Sequence, residues 1–183
     1  VTTWGVSLDA DAQGRRPLID NGTHALDLTR REMNNYKPTS VVANTYHKLA
    51  GTENAANAFG PWNPAEFTVE DSAFGFIVME NGATIYLESS WALNTLEVGE
   101  AKTTLHGTQG GADMKDGLRI NGESDGMMYD KTMVLEPGGV AFYAGPGDDP
   151  PYLEPKQWIE SIQNNTERVV SPEQAWVVTQ ILE

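Results

Sequence analysis

An aspartate and a histidine with helical spacing are the side chains in this sequence that best suit acid–base chemistry. Asp20 and His24 are four residues apart. If the segment is helical, both side chains lie on one face within reach of each other, and Asp27 lies on a neighbouring part of the surface. A carboxylate beside an imidazole orients the ring and favours its protonated form, whereas a helix N-terminus favours the neutral form. Such a pair is a candidate proton shuttle near neutral pH.

The same residue types also have ordinary structural explanations. Asp20 suits a helix N-cap, and His24 would then be a surface or core histidine. His47 lies near the end of a predicted strand and is either a substrate contact or a surface residue. Trp91 is able to stack on a sugar ring, or to pack in the core or in a dimer interface. Spacing alone leaves these alternatives open.

Composition excludes several classes of partner. Among the 183 residues, 12 are Lys or Arg and 26 are Asp or Glu, so the net charge is −14. Nucleic acids and anionic membranes need a positive footprint, which this balance argues against. No stretch of about 18 apolar residues is present to span a bilayer. Cysteine is absent, which excludes disulfides and thiolate sites, and 3 histidines leave little for a transition metal.

Both ends of the chain look cut. The sequence starts without Met, has no basic and apolar leader, and stops inside the apolar run 176–182. We therefore expect a fragment of a longer protein. The absence of cysteine fits a reducing compartment, and we expect a cytoplasmic location.

A helix has to position the aspartate and the histidine. We expect this helix to begin near Asp20 or Asn21, either of which would cap it, and to run to about Asn34. The pair Asn34-Asn35 would end it before Lys37-Pro38.

The middle of the chain predicts strands. β-Branched and aromatic residues indicate a strand over Thr39–His47, and residues 50–66 indicate a loop with one helical turn around 53–58. Ser72–Met79 and Thr84–Trp91 predict a hairpin, with Asn81-Gly82 as a two-residue type I′ turn. Further strand candidates, separated by Gly-rich turns, are Lys102–His106, Gly111–Met114, Leu118–Ile120 and Met127–Leu135.

Two helices are expected in the tail. The loop 145–151 precedes a helix over Pro155–Asn165, whose apolar residues with core spacing are Trp158, Ile159 and Ile162. Ser171 as N-cap, Pro172 as first helical residue and Gln174 in a capping box predict the start of the last helix. This order of elements predicts an α+β fold. We expect a single domain, 1–183, with one open, largely antiparallel β-sheet covered on one face by helices.

The other face of the predicted sheet needs a partner. Both faces of the hairpin are apolar, and residues on the uncovered face include Phe74, Phe76, Ile85 or Leu87, depending on register. A large exposed apolar face marks an interaction surface, and a second copy is the simplest partner. We therefore expect a face-to-face homodimer.

Three stretches resemble a known family. Residues 14–27 are similar to a pattern with a Gly-rich segment followed by Asp-x-Gly-x-His-x-x-Asp, and residues 69–91 and 158–175 match in order and spacing. Together they resemble the C-terminal domain of the glucose–fructose oxidoreductase / inositol dehydrogenase (Gfo/Idh/MocA) superfamily. Its members are NAD(P)-dependent oxidoreductases that act mostly on sugars and polyols.

The resemblance implies roles for individual residues. His24 would be the acid/base that takes the hydroxyl proton, and Asp20 would orient the substrate or His24. Asp27, His47 and Trp91 are candidate substrate contacts on their residue types and positions alone. The family's catalytic lysine and Gly-rich dinucleotide loop belong to an N-terminal Rossmann domain, and no Gly-x-Gly-x-x-Gly motif follows a strand here. We therefore expect NAD or NADP to bind in the full-length protein and not in this chain alone.

Two departures from the family pattern keep an alternative open. Gly14 is followed by Arg15 and Arg16, where further glycines are common, and Arg30-Arg31-Glu32 occupies positions where an apolar helix face is usual. The alternative is a non-catalytic dimerisation or sugar-binding module of the same fold, which would keep the sheet and lack the chemistry.

Overall fold

The computed structural model describes residues 17–34, 37–53, 61–91, 93–96, 102–133 and 150–183. The segment with Gly14, Arg15 and Arg16, most of the turn expected at 53–58, Asn35 and most of the loop 145–151 lie outside these residues. The chain divides into two compact units, Val1–Ala101 with Ala175–Glu183, and Lys102–Gln174. Each unit is described by itself below.

The first unit opens with a helix that begins earlier than expected. A π-helical turn, Leu18–Gly22, continues directly into α1, Thr23–Glu32. The prediction that Asp20 or Asn21 caps the helix is wrong, because the N-cap is Pro17 and both residues lie inside the π-helical turn. The first N–H, that of Leu18, donates to the distant Glu70 side chain. The helix ends just before the expected Asn34, which adopts φ +47°.

Three antiparallel strands follow in the first unit. They are β1 (Pro38–Tyr46), β2 (Ser72–Met79) and β3 (Thr84–Ser90), in the order β1-β2-β3. The strand and the hairpin predicted from β-branched and alternating residues are thus confirmed. A short 3₁₀ helix, Pro64–Glu66, precedes β2, and the Asn63 side chain caps it by accepting the Ala65 N–H.

The turn between β2 and β3 differs from the prediction. Met79 N–H donates to the Ala83 carbonyl at 2.8 Å and Gly82 N–H to the Met79 carbonyl at 2.9 Å, which makes a three-residue loop. Only Gly82 takes a positive φ, +83°, so Asn81-Gly82 is not a type I′ turn. The reason is local: the Asn81 side chain accepts the Ala83 N–H at 3.0 Å, a bond that favours a different turn.

The core of the first unit lies on one face of its sheet. Helix α1 and the last helix, α3 (Pro172–Leu182), cover this face. The buried core residues are Leu18, Leu26, Ala73, Ile77, Met79, Ile85, Leu87, Val178, Ile181 and Leu182. Placing Ile85 or Leu87 on the uncovered face is therefore wrong. In the observed register Tyr86 pairs with Phe76, so the two side chains share the outer face. Because side chains alternate along a strand, Ile85 and Leu87 on either side of Tyr86 point to the covered face.

The second unit holds four antiparallel strands in the order β4-β5-β6-β7. They are Thr104–His106, Gly110–Asp113, Arg119–Ser124 and Met127–Thr132. The predicted strands thus form two sheets instead of one. The type I′ geometry expected at the first hairpin occurs here, because Asp125 and Gly126 both have positive φ, 55° and 76°.

The tail helices confirm one local prediction and correct another. Helix α2 spans Pro150–Asn164 and begins before the expected Pro155. Its residues with core spacing are not buried, since Trp158, Ile159 and Ile162 are 48%, 52% and 60% exposed, and the described residues bury Ser161 instead. At the start of α3 the capping box is present: Ser171 accepts the Gln174 N–H at 3.2 Å, and Gln174 accepts the Ser171 N–H at 2.9 Å.

Helices and antiparallel sheets together make the predicted α+β fold. In the described part of the chain, no helix is both long and apolar enough to cross a membrane.

Candidate functional site

The start of the first helix is bonded to β3 and to the segment that leads into β2. The Pro17 carbonyl accepts the Ser89 hydroxyl at 3.1 Å, and the Leu18 N–H donates to Glu70 Oε1 at 3.2 Å. These two backbone groups belong to one peptide unit. Ser89 lies in β3 and Glu70 lies two residues before β2, so one peptide is held by β3 and by the segment that leads into β2. This anchor sets where the residues of the first turn lie relative to the sheet.

A glycine lets the helix approach the sheet closely. A Cβ placed on Gly22 would lie 3.2 Å from Leu18 Cδ1, 3.8 Å from Ser89 Cβ and 3.8 Å from Leu182 Cδ2. Gly22 is buried. A single methyl group at this glycine of the Asp-x-Gly-x-His pattern would thus need a small shift of the Leu18 side chain and would meet β3 and α3 at ordinary contact distance, so the position has little room for anything bulkier.

The aspartate and the histidine lie on successive turns of this anchored helix. Asp20 is half-buried inside the π-helical turn, and His24 is exposed in the first turn of α1. π-Helical turns are rare and are frequent at functional sites. Asp27 lies further along α1 and is half-buried. The His24 side chain is thus open to an approaching molecule. Asp20, four residues earlier, is partly shielded from water.

The other two candidates lie at the same end of the sheet. His47 follows β1 and Trp91 follows β3, and both strands are antiparallel to β2. The ends of β1 and β3 therefore lie beside the start of β2, where Glu70 holds the helix.

Both side chains already have partners in this structure. His47 is exposed, yet its Nε2 lies 3.0 Å from the Phe67 carbonyl and its ring meets the Phe67 ring edge-on at 5.9 Å. Trp91 is half-buried against a small cluster of Ala50, Trp62, Phe67 and Val69. Trp91 thus packs against this cluster, whereas His47 remains an exposed residue.

Comparison with known proteins adds to this geometry. Residues 3–113 match the family model described as the GFO/IDH/MocA C-terminal domain. The chain belongs to this family. A D-glucoside 3-dehydrogenase from Escherichia coli (strain K12) is 31% identical over 183 residues, which cover 100% of this chain and 49% of that protein. The resemblance stated from the sequence is therefore confirmed.

Solved structures share the fold. The aldose-aldose oxidoreductase from Caulobacter crescentus complexed with glycerol superimposes with a TM-score of 0.66 at 16% identity, covering 98% of this chain and 47% of that one. Levoglucosan dehydrogenase, in complex with NADH and levoglucosan, gives a TM-score of 0.70 at 17% identity, covering 98% and 49%. This GFO/IDH/MocA chain thus spans about half the length of the relatives it matches.

An acidic pair that the sequence analysis did not single out supports this part of the family fold. Glu70 holds the helix start, and the adjacent Asp71 is completely buried. The Asp71 carboxylate accepts the N–H groups of Leu49 and Ala50 at 2.6 and 3.4 Å, and the Ser72 hydroxyl at 2.9 Å. In the sequence, this support is indicated by two consecutive acidic residues immediately before a buried apolar strand.

Of the three charged residues Arg30-Arg31-Glu32 that depart from the family pattern, only the first is buried. Arg30 is fully buried one turn after Leu26, whereas Arg31 and Glu32 are exposed. The helix therefore keeps its inward face, and a guanidinium group occupies one position of it.

The described residues do not fit a nicotinamide cofactor. Dinucleotide sites are built on parallel βαβ units with a Gly-rich turn, and every strand pair in the two sheets is antiparallel. Nor do the described residues contain a group of three His, Cys, Asp or Glu side chains able to hold a metal ion. An exposed imidazole such as that of His24 is able to exchange a proton with a bound molecule.

Proposed function

We propose that this chain is the substrate-side domain of an NAD(P)-dependent oxidoreductase that oxidises a hydroxyl group of a sugar, a polyol or a related compound. The observation that carries the proposal is the exposed His24 on a helix start anchored to the sheet, one turn after the half-buried Asp20, in a chain of this family. The cofactor would be bound by another part of the complete protein. A cytoplasmic location remains our expectation.

The proposed chemistry divides between carbon and oxygen. When an alcohol becomes a carbonyl, the carbon loses a hydride and the hydroxyl loses a proton. His24 accepts this proton, because an exposed imidazole is able to receive it and later pass it to water. Asp20 orients the substrate or the ring, and Asp27, His47 and Trp91 contact the substrate.

The outer face of the three-stranded sheet completes the proposal. Val42, Phe76 and Tyr86 are 70%, 53% and 52% exposed, and they lie side by side because Phe76 pairs with both others. The Phe76 and Tyr86 rings are in contact, with centroids 5.0 Å apart. Such a continuous apolar face is costly to leave in water, and we assign it to pairing with a second copy of the chain.

Turnover by the complete protein tests the enzymatic proposal. Wild type is assayed with NAD and NADP against aldoses, glycosides and polyols, next to His24→Ala and the matched control His106→Ala. His106 is also exposed, but it lies in the second unit. We expect His24→Ala to lower kcat by about 10²-fold or more and His106→Ala to leave it unchanged.

Two results would oppose the proposal in different ways. Unchanged turnover in His24→Ala would remove the assigned role of this histidine. A wild-type protein that dimerises but reduces neither cofactor with any of these compounds would instead favour the non-catalytic module.

A further inference from the structure

We infer that Glu70 is a positioning residue for the Asp20–His24 pair, acting through the first peptide of the helix. This inference rests on the proposed function for its catalytic meaning. It goes beyond that proposal because it assigns a task to a side chain 52 residues away in sequence from the peptide it bonds.

The N-cap residue of the helix does not cap it with its side chain. This residue is Pro17, which makes no side-chain hydrogen bond to the N–H groups of the π-helical turn. The first N–H groups of a helix have no partner within the helix and favour a negative charge. Glu70 provides this partner for Leu18, at 3.2 Å and in a half-buried position where water competes less.

Hydrogen bonds hold the backbone next to Glu70 in place. Its neighbour Asp71 is completely buried, donates its N–H to the Tyr46 carbonyl at 2.8 Å and accepts the Trp91 N–H on its own carbonyl at 3.3 Å. The backbone beside Glu70 is thereby tied to residues at the ends of β1 and β3. A carboxylate on such a support holds the helix start in one place.

The opposite side of the same peptide is held as well. The Ser89 hydroxyl, buried in β3, donates to the Pro17 carbonyl at 3.1 Å. The same carbonyl also accepts the Asn21 N–H at 2.9 Å, so its side of the peptide is bonded within the helix as well as to β3, and Glu70 supplies the bond on the N–H side. Asp20 is two residues beyond this peptide, so a tilt of the peptide moves Asp20 and then His24. Displacement of reacting groups by about 1 Å is enough to cost roughly 10²-fold in rate.

Variants of the complete protein separate positioning from simple stabilisation. Glu70→Ala removes the bond, and Glu70→Gln keeps an acceptor oxygen. Ser171→Ala is the matched control, because it removes the cap that accepts the Gln174 N–H at the start of α3. We expect Glu70→Ala to lower kcat by about tenfold or more with little change in KM, and Glu70→Gln to recover most of the loss. Ser171→Ala should lower Tm and leave kcat unchanged.

NMR spectroscopy reports the surroundings of the His24 ring without the need for turnover. In protein labelled at histidine, the His24 imidazole signals should move in Glu70→Ala and return towards their wild-type positions in Glu70→Gln. The His106 signals, from the second unit, should stay in place. If Glu70→Ala does not fold, Ser89→Ala takes its place, since it removes the bond between the same peptide and β3.

The outcomes distinguish this inference from the proposed function. Loss of turnover in His24→Ala together with wild-type kcat and unmoved His24 signals in Glu70→Ala and Ser89→Ala would overturn the positioning role alone. Equal losses of kcat in Ser171→Ala would also overturn it, because any lost cap would then suffice. Unchanged turnover in His24→Ala would refute the catalytic role of His24. Shifted His24 signals in Glu70→Ala would in that case still show that Glu70 positions the helix start.

Discussion

The Asp71 carboxylate accepts the backbone N–H of Leu49 at 2.6 Å and so joins the start of β2 to the loop that follows β1. The loop carries His47, and the residue before Asp71 anchors the helix that carries His24. Two adjacent acidic side chains thus hold the two histidine-bearing segments at one end of the sheet. The arrangement makes the beginning of β2 the common support of the candidate site.

Removing this carboxylate should be costly. Asp71→Ala leaves three donors without their acceptor, at roughly 1–3 kcal/mol for each buried group, and two of the three, on Ala50 and Ser72, belong to buried residues. We expect the free energy of unfolding to fall by about 3 kcal/mol or more, and by less in Asp71→Asn, which keeps one oxygen. Chemical denaturation followed by tryptophan fluorescence measures the change.

A surface acid offers the control for Asp71. Glu80 pairs with Lys37 at 3.3 Å, but both side chains are largely exposed, at 61% and 76%. Glu80→Gln should therefore change stability by no more than about 1 kcal/mol. If Asp71→Ala proved no more harmful than Glu80→Gln, the buried carboxylate would not be the support described here.

The outer sheet face predicts the oligomeric state. Phe76→Glu puts a charge at the centre of the face, which an exposed side chain tolerates in a monomer but not in a dry interface. We expect wild-type protein to be dimeric in light scattering and Phe76→Glu to be monomeric with unchanged circular dichroism. Met128→Glu is the control, because Met128 is 82% exposed and belongs to the sheet of the second unit instead of the three-stranded sheet. A monomeric wild type at high micromolar concentration would refute the dimer.

The second unit contains an acid-sensitive pair. The Arg119 side chain donates two hydrogen bonds to the Asp113 carboxylate, at 2.7 and 3.1 Å, and with the Lys115 N–H it lowers the pKa of Asp113. Because the folded pKa lies below the unfolded one, the stabilisation is present above the unfolded pKa. It is lost as the pH falls through the folded value.

Arg119→Ala tests this pH dependence. The variant should raise the pKa of Asp113 towards its ordinary value, as measured by carboxyl NMR titration. The difference in Tm between wild type and variant should shrink as the solution is acidified through that range. Since both side chains are on the surface, the effect at neutral pH should be small. A difference in Tm that is independent of pH would argue against the pair.

Local sequence rules succeeded where all bonding partners are close in sequence. The capping box at Ser171 and Gln174 was predictable because its donor and acceptor groups lie within one turn. The hairpin of β2 and β3 followed from the alternation of apolar residues and a short turn. The same rules gave the wrong turn type, because the Asn81 side chain accepts the Ala83 N–H and this bond competes with type I′ geometry.

Burial was harder to predict than secondary structure. Trp158 has the spacing of a core residue on α2, yet it is about half exposed, and Arg168 lies over its ring at 5.0 Å. Helical periodicity identifies an apolar stripe, but only the packing of other elements decides whether that stripe is covered.

The amino-acid sequence alone determined the α+β class, the order of helices and strands and the family, and it made Asp20 and His24 the candidates, because all of these follow from residue types and their spacing along the chain. Only the tertiary structure decided that the strands form two sheets, that Tyr86 faces outward, and that Glu70 instead of Asp20 bonds the helix start. The physical reason is range: a bond across 52 residues exists only after the sheet has brought its two ends together, and no local pattern records it.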